Sequence, residues 1–240
     1  MKKGLIVLLG LLLLGTTAFA AEFKMSFGGG FEFFGNFTTA ETQADYGIPL
    51  PIPPGTITKS DQIINDLNYG GFLFFDATYA ELFVSFYGGS TALYNDNNLY
   101  FGGANIGSEA MTFKKSTSSM SIGILAKYPF VFKKVTLAPM AGISYQMFFT
   151  GVYGNDFTSR NGLTLDPSDF NTLWAHAGVG VNYAVTEKIY VKAEALYGIK
   201  IRANEYDKKN KAYVESFTSG EVMSGWVNAV TARIGIGYKL

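Results

Sequence analysis

The sequence NAVTARIGIGYKL closes the chain at residues 228–240 and alternates strictly between two classes of residue. The apolar positions are Val230, Ala232, Ile234, Ile236, Tyr238 and Leu240. The positions between them are Thr231, Arg233, Gly235, Gly237 and Lys239. Successive side chains of a β-strand point to opposite faces, so this stretch predicts a strand with one wholly apolar face. The other face is small and cationic, and the two faces therefore require different surroundings.

The first twenty residues have the pattern of a secretory signal peptide. Lys2 and Lys3 precede an apolar run over residues 5–14, and the small-residue segment Ala18-Phe19-Ala20 follows. The run is too short to span a bilayer, which takes about 18 apolar residues or more. We therefore assign residues 1–20 to a cleaved signal and residues 21–240 to one mature domain. Cleavage leaves 17 basic and 19 acidic side chains, so the charge gives no indication of nucleic-acid binding.

The composition narrows the class of the exported chain. It has no cysteine, which argues against disulfides and against a lipid anchor attached to cysteine. No later segment approaches about 18 uninterrupted apolar residues, which argues against a helical membrane protein. A closed barrel is the other backbone arrangement that crosses a bilayer, because it pairs its N–H and C=O groups without water. The 21 Phe, 15 Tyr and 28 Gly, with only 16% charged residues, favour strands and crowded barrel interiors.

Alternation continues through the mature chain and predicts eight strands. They are Phe23–Phe33, Asn68–Phe75, a strand containing Leu82, Val84 and Phe86, Ser119–Tyr128, a strand after Lys134 that reaches Phe149, Leu173–Tyr183, Ile189–Arg202 and Asn228–Leu240. The facing of the second strand is ambiguous, because Phe72 and Phe74 compete with Leu73 and Phe75 for the apolar side. Pro139 cannot donate to a ladder, so we expect a bulge there or a ladder that starts after it.

The connections between these strands alternate in length. The long segments are Asn36–Asp66, Gly88–Ser116, Gly151–Phe170 and Ala203–Gly225, and the short ones are Asp76–Thr78, Pro129–Lys134 and Val185–Lys188. Outer-membrane barrels have short periplasmic turns and long extracellular loops. The prediction is an all-β fold, an eight-stranded antiparallel transmembrane up-and-down β-barrel with both termini in the periplasm. The alternative has ten strands, with residues 99–113 as an extra pair. The first long segment has four prolines between Pro49 and Pro54, so no strand is expected in it.

Two features resemble known outer-membrane proteins. Arg233, Gly235, Tyr238 and Leu240 match the spacing of the C-terminal signal of bacterial outer-membrane β-barrels, with Leu240 in place of the usual final aromatic. Over nearly its whole length the mature chain resembles the small barrels of the OmpX, OmpA transmembrane-domain and OmpW group. The resemblance implies the outer membrane of a diderm bacterium, assembly by the barrel-assembly machinery with periplasmic chaperones, and contact with outer-membrane lipid and lipopolysaccharide-like glycolipid. It names no ligand.

Turning the apolar faces toward lipid predicts a polar interior. Its members are Lys24, Glu32, Glu81, Lys127, Ser144, Gln146, His176, Lys192, Glu194, Lys200, Arg233 and Lys239. The interior of eight strands is about wide enough for side chains alone, so buried charges have to neutralise one another. We predict a polar network made of Glu32, Glu81, Lys127, His176, Lys192, Glu194 and Arg233. Within it, Glu81 is expected near Lys127, and Glu194 near Arg233.

Three of the interior residues have the types that a catalytic set requires. Ser144, His176 and Glu194 fall on three consecutive predicted strands and match a nucleophile, a base and an orienting acid. Catalysis needs substrate access, whereas these side chains are expected in a crowded interior. One histidine and no cysteine leave no metal cluster visible. We therefore predict no enzyme, no metal and no cofactor, and keep a lipid-modifying barrel enzyme as the least favoured alternative.

The long segments and the apolar part of the interior lead to two functional hypotheses. Loops on a rigid scaffold commonly carry binding, so we predict a structural or surface-interaction role. The alternative is a narrow channel for small hydrophobic molecules, as the OmpW resemblance implies. It rests on apolar side chains that are also predicted inside: Phe34, Phe72, Phe74, Phe83, Tyr87, Met140, Phe148, Trp174 and Leu196. Aromatic residues near the strand ends are interpreted as interfacial girdles: Phe23, Tyr128, Tyr183, Tyr238, Phe33, Tyr69, Phe149 and Trp226.

Overall fold

The computed structural model describes residues 24–45, 57–101, 104–152, 166–205, 207–209 and 226–240. Side chains are described for residues 24–37, 67–88, 118–150, 166–205, 207–209 and 227–240. The predicted signal peptide, residues 1–20, lies outside these ranges.

Nine strands make up almost all of the described chain. They are β1 (Met25–Asp45), β2 (Ile57–Ala77), β3 (Ala80–Phe101), β4 (Ala104–Lys127), β5 (Phe130–Phe132), β6 (Val135–Val152), β7 (Thr172–Ala184), β8 (Ile189–Lys200) and β9 (Trp226–Lys239). A 3₁₀ turn at Pro167–Phe170 precedes β7. The three-residue β5 pairs only with the start of β6, so eight long strands remain.

The eight long strands form a closed antiparallel barrel. Each long strand pairs with the next along the chain, β4 pairs with β6, and β9 pairs with β1. Following the paired residues once around the wall from Asn36 leads back to β1 at Ser26, ten residues nearer the N-terminus. That offset is the stagger that closure of tilted strands requires. The predicted eight-stranded antiparallel barrel is therefore confirmed.

The facing of β2 is settled by the glycines of its neighbour β1. Phe72 and Phe74 point inward and are 2% and 4% exposed, whereas Leu73 and Phe75 point outward. Phe74 pairs with Gly28, and a Cβ built at Gly28 would lie 2.5 Å from the Phe74 ring. The missing side chain on β1 thus makes room for an aromatic ring on β2.

The first two long segments are continuations of strands, which corrects part of the prediction. β1 and β2 remain paired from Asn36 opposite Asp66 to Asp45 opposite Ile57. The prolines at 49–54 fall in residues 46–56, outside the described chain, and do not interrupt the ladder before it. Residues 88–101 and 104–116 likewise belong to β3 and β4. The ten-strand alternative is therefore wrong, because residues 99–113 lengthen two existing strands.

Pro139 lies at the point where β6 changes its pairing partner from β5 to β4. The ladder between β4 and β6 begins at Met140, immediately after the proline. Of the two expectations for Pro139, a bulge or a ladder that starts after it, the second is therefore met. The Pro139 carbonyl accepts a hydrogen bond from the Tyr128 N–H at 3.1 Å. The N and O atoms of a strand residue point to the same neighbour, so the missing N–H faces the gap between β4 and β5. The register with β7 continues without a bulge, with Pro139 opposite Val179.

Candidate functional site: the barrel interior

Arg233 lies at the centre of an ionic network inside the barrel. It is directly opposite Glu32 on β1 and Glu194 on β8. Its Nε donates to Glu32 Oε2 at 2.9 Å and its Nη2 to Glu32 Oε1 at 3.3 Å, while Nη1 donates to Glu194 Oε2 at 3.4 Å. The guanidinium carbon lies 3.8 Å from the centre of the Phe83 ring. A buried cation is thus held by two carboxylates and an aromatic face.

Lys192 is the second buried cation and lies toward the end of the barrel that has the short turns. Its Nζ is 2.8 Å from Glu194 Oε1 and 3.6 Å from Asp76 Oδ2, and it forms a close ion pair with Glu81. The Nζ is also 4.2 Å from the centre of the Phe74 ring. Lys192 is 1% exposed, so these groups replace nearly all of its hydration.

The partner of Lys127 differs from the prediction. Lys127 forms its ion pair with Asp76, whereas Glu81 pairs with Lys192. Glu81 stands opposite Leu125 and Asp76 in the ladders, which leaves Lys127 two residues below it. The predicted contact between Glu81 and Lys127 is therefore wrong, and the predicted contact between Glu194 and Arg233 is present.

Asp76 is a member of this network that the sequence reasoning missed. The sequence predicts a turn from Asp76 to Thr78, but Asp76 belongs to β2 and is 4% exposed. The signal was available in the alternation, because Phe72, Phe74 and Asp76 occupy the same face of one strand.

Above Arg233 the interior is filled by aromatic rings and neutral polar groups. Tyr87 donates to Glu32 Oε1 at 2.5 Å, and Ser85 donates to Glu32 as well. The Phe34 ring lies 5.7 Å from the Tyr87 ring and 5.5 Å from the Trp174 ring, between centres. Trp174 and Phe34 are 2% and 3% exposed, so this layer closes the space toward the outer end.

Ser144 and His176 are brought together, but the third member of the considered catalytic set is not. Ser144 Oγ and His176 Nε2 are 2.8 Å apart. Nδ1 of His176 is buried and has no hydrogen-bond partner among the described atoms, and Glu194 instead contacts Lys192 and Arg233. An imidazole without an orienting acid lacks the arrangement that a nucleophile requires.

A comparison with protein-family models finds one match to this architecture. Residues 6–220 match the family described as the outer membrane protein beta-barrel domain. The chain belongs to that outer-membrane barrel family. The protein is accordingly placed in the bacterial outer membrane.

Solved outer-membrane barrels align with nearly the whole chain. The outer membrane protein OprG from Pseudomonas aeruginosa is 12% identical, with 90% of this chain and 95% of that chain covered and a TM-score of 0.44. Neisserial surface protein A is 13% identical, with coverages of 89% and 99% and a TM-score of 0.34. Outer membrane protein W of E. coli is 16% identical, with coverages of 87% and 97% and a TM-score of 0.33. No curated protein matches the sequence.

Lys24, Lys200 and Lys239 are at the ends of this outer-membrane barrel and not in its central network. Lys24 is exposed, Lys239 is partly exposed and lies 6.0 Å from the Tyr190 ring centre, and Lys200 forms an ion pair with Asp207 at 2.5 Å. The predicted girdle residues with described side chains are all exposed: Phe33, Tyr69, Tyr128, Phe149, Tyr183 and Tyr238. The side chains of Phe23 and Trp226 lie outside the described ranges.

An ion pair joins the bases of the last two long segments at the outer end. Lys209 Nζ donates to Asp169 Oδ2 at 2.7 Å, and the Asp166 N–H donates to the same oxygen at 2.8 Å. Partial burial by itself would raise the pKa of Asp169, but these two hydrogen bonds hold the pKa below its usual range. The hydrogen bond to Asp169 raises the pKa of Lys209. Both groups are therefore charged at neutral pH.

Neither a metal centre nor a spanning helix is present in the described part of the chain. No group of three or more His, Cys, Asp or Glu side chains there is placed to hold a metal ion. Within the same residues, no helix has the length and apolar character needed to cross a membrane.

Proposed function

We propose that this outer-membrane barrel is a closed scaffold that presents its long outer segments for contact with molecules at the cell surface. One observation carries the proposal: the interior is occupied by side chains that contact one another. Trp174, Phe72, Lys192 and Leu196 are among the largest buried side chains. An eight-stranded barrel has little more interior volume than its side chains fill, so the packing of the described side chains supports an interior without a solute path.

The length of the first four strands supports the second half of the proposal. β1 to β4 contain 21, 21, 22 and 24 residues, whereas about 9–11 residues suffice for a tilted strand to cross the hydrocarbon core. β9 leaves β1 after Thr39, and the ladder from β4 to β6 starts at Ser116. Beyond these residues the four strands continue as a sheet outside the membrane, which offers an extended surface for binding.

Export and assembly are part of the same proposal. Residues 1–20 would direct export and be removed, and periplasmic chaperones and the barrel-assembly machinery would recognise the terminal signal with Arg233, Gly235, Tyr238 and Leu240. In the structure Tyr238 and Leu240 are exposed on the outer wall, while Arg233 faces inward. The outer wall would then contact outer-membrane lipid and, at its outer end, lipopolysaccharide-like glycolipid.

Conductance tests the closed interior. The purified protein in planar lipid bilayers is expected to give no steady single-channel current, with a sixteen-stranded porin as the positive control. A steady current from the wild-type protein, or detergent retained inside the barrel, would instead support the narrow channel for small hydrophobic molecules. The contact distances between Phe34, Tyr87 and Trp174 favour the plug over that channel.

Shortened hairpins test the surface role. The row of paired residues Thr39, Ile63, Asp96 and Ala110 crosses the projecting sheet. Replacing residues 40–62, or residues 97–109, by Asn-Gly cuts each hairpin at that row with a two-residue turn that suits antiparallel strands. Both variants are expected to keep heat-modifiable gel mobility, and at least one to lose adhesion of expressing cells to host extracellular-matrix protein or adsorption of phage. Wild-type binding by both would contradict the surface role.

A catalytic role is not proposed. The missing acid at His176 Nδ1 argues against it. A His176→Ala variant that loses a lipase or acyltransferase activity present in the wild-type protein would reverse that conclusion.

A further inference from the structure

The central network holds one more carboxyl group than cations. Its carboxyl groups are Glu32, Asp76, Glu81 and Glu194, and its cations are Lys127, Lys192 and Arg233. Each of these seven side chains is no more than 7% exposed. An uncompensated charge in such surroundings is strongly unfavourable, so the surplus has to be neutralised inside the network.

Two carboxyl oxygens of the network receive no hydrogen bond among the described residues. They are Oε1 of Glu81 and Oε1 of Glu194. Glu81 is fully buried, and its Oε1 is 4.0 Å from the nearest guanidinium nitrogen of Arg233. Glu194 Oε1 is in an ion pair with Lys192 but is not a hydrogen-bond acceptor of good geometry. Both side chains contact the same Lys192 ammonium group, and both lie within 4.0 Å of Nη1 of Arg233.

We propose that Glu81 and Glu194 bind one proton between them at neutral pH. One proton makes one of the two carboxyl groups a donor and the other an acceptor, which satisfies both orphan oxygens with a single bond. It also brings the network of seven groups to zero net charge. Two carboxyl groups in one dry site do not both ionise readily, and the proton belongs to the pair and not to either residue.

Side chains from the other long strands surround the Glu81–Glu194 pair. Glu32 on β1, Asp76 on β2, Lys127 on β4, His176 on β7, Lys192 on β8 and Arg233 on β9 face the same interior, and β6 contributes the neutral Ser144. Each of the three cations is already paired with Asp76 or Glu32, which are not members of the Glu81–Glu194 pair. No further cation of the described interior is available to balance the fourth carboxylate.

Infrared spectroscopy of the folded wild-type protein tests the proposal directly. At about pH 7 in lipid vesicles, the spectrum is expected to contain the carbonyl stretch of a protonated carboxylic acid, apart from the carboxylate bands. Labelling all glutamates with ¹³C on the side-chain carboxyl should shift that band. Its absence from the folded wild-type protein would overturn the proposal, and this result does not depend on any variant folding.

The Glu81→Gln variant supplies the second test. The amide can donate to Glu194 without a proton, so the variant is expected to fold, to keep its heat-modifiable mobility and to lose the labelled carbonyl band. Glu205→Gln, which changes an exposed carboxylate outside the network, should keep the band. A band of unchanged intensity in Glu81→Gln would show that the proton is held elsewhere.

The pH dependence of the unfolding equilibrium constant reports the bound proton, because a change in packing alone would not alter it. The unfolded chain ionises both carboxyl groups at neutral pH, so unfolding the wild-type protein releases one proton. Its unfolding equilibrium constant should therefore rise with pH, by up to tenfold per pH unit, relative to that of Glu81→Gln between about pH 6 and about pH 8. His176 is present in both proteins, so its titration largely cancels in this ratio. Equal slopes in the two proteins would contradict the proposal.

Discussion

Arg233 connects the sequence, the fold and the interior at the scale of a single residue. The alternation of the last strand turns it inward, the register places it opposite Glu32 and Glu194, and the size of the barrel removes water from all three. Such a cation is a strong determinant of stability because Glu32 has no other ion pair in the described interior, whereas Glu194 is also paired with Lys192. Its removal leaves the buried carboxylate of Glu32 with unpaired charge.

The Arg233→Met variant is expected to lose about 3–5 kcal/mol of unfolding free energy, the range observed when one partner of a buried ion pair is removed. Urea unfolding in lipid vesicles, followed by tryptophan fluorescence, measures the change. The matched control is Lys208→Met, which removes an exposed ion pair with Glu205 and should change stability by no more than about 0.5 kcal/mol. Equal losses in the two variants would show that Arg233 is not buried among its partners.

Replacing an inward-facing glycine by alanine is expected to cost more stability than replacing an outward-facing glycine. A Cβ at Gly123 would lie 2.5 Å from the Phe83 ring, whereas at Gly71 the nearest atom is the Gly30 carbonyl oxygen at 3.5 Å. Gly123→Ala should therefore cost about 1–3 kcal/mol through overpacking, and Gly71→Ala should be close to neutral. The same unfolding measurement distinguishes them, and a larger loss in Gly71→Ala would contradict the facing of β2 and β4.

At the scale of the element, the alternation of apolar and polar residues predicts the strands. It does not predict where the strands end on the outer side. The period of two predicts which residues of β7, β8 and β9 face inward, because one side has to contact lipid and the other does not. It does not reveal where a strand leaves the membrane, since paired backbone continues regardless of its surroundings. The polar character of residues 36–45 and 57–66 for that reason predicts a loop, although these residues continue β1 and β2.

The contact between Asp169 and Lys209 belongs to this scale because it joins two connecting segments. The pKa of Asp169 is lowered in the folded protein, so the contact contributes stability above the ordinary value of 3.8 and loses it as pH falls through the lower folded value. The protection factors of the amide hydrogens of residues 203–209, which compare each exchange rate with that of an unstructured chain at the same pH, should fall on acidification below about pH 3.8. Asp169→Asn should show the lower protection factors already at neutral pH. Unchanged exchange in that variant would exclude the tether.

At the scale of the whole molecule, closure distinguishes the barrel from any open sheet of the same strands. β9 is paired on both sides, with β1 and with β8. Deleting residues 228–240 would expose two unpaired edges to hydrocarbon, where each orphan backbone group costs several kcal/mol. This truncated chain is expected to lose heat-modifiable mobility and to remain accessible to protease. The chain with residues 97–109 replaced by Asn-Gly, which keeps every pairing of β9, is the control.

The same scale shows what the sequence can and cannot predict about the interior. Eight strands, their order and most inward residues follow from one-dimensional patterns. The partners of Lys127, Lys192 and Glu81 do not, because they depend on the ten-residue stagger that brings distant strands to one height. A stagger different by two residues would preserve every facing and exchange the ion pairs.

The first and last strands of the described barrel meet at the end with the short turns, where the Leu240 N–H donates to the Met25 carbonyl at 3.0 Å. The free edge of β1 is therefore paired by β9, the strand farthest from it along the described chain. A fragment that lacks β9 cannot close the barrel. All of the strands from β1 to β9 therefore have to be translocated, and kept from aggregating, before insertion begins. A chain whose export stops before β9 is therefore expected to stay outside the membrane and not to form a partly built barrel.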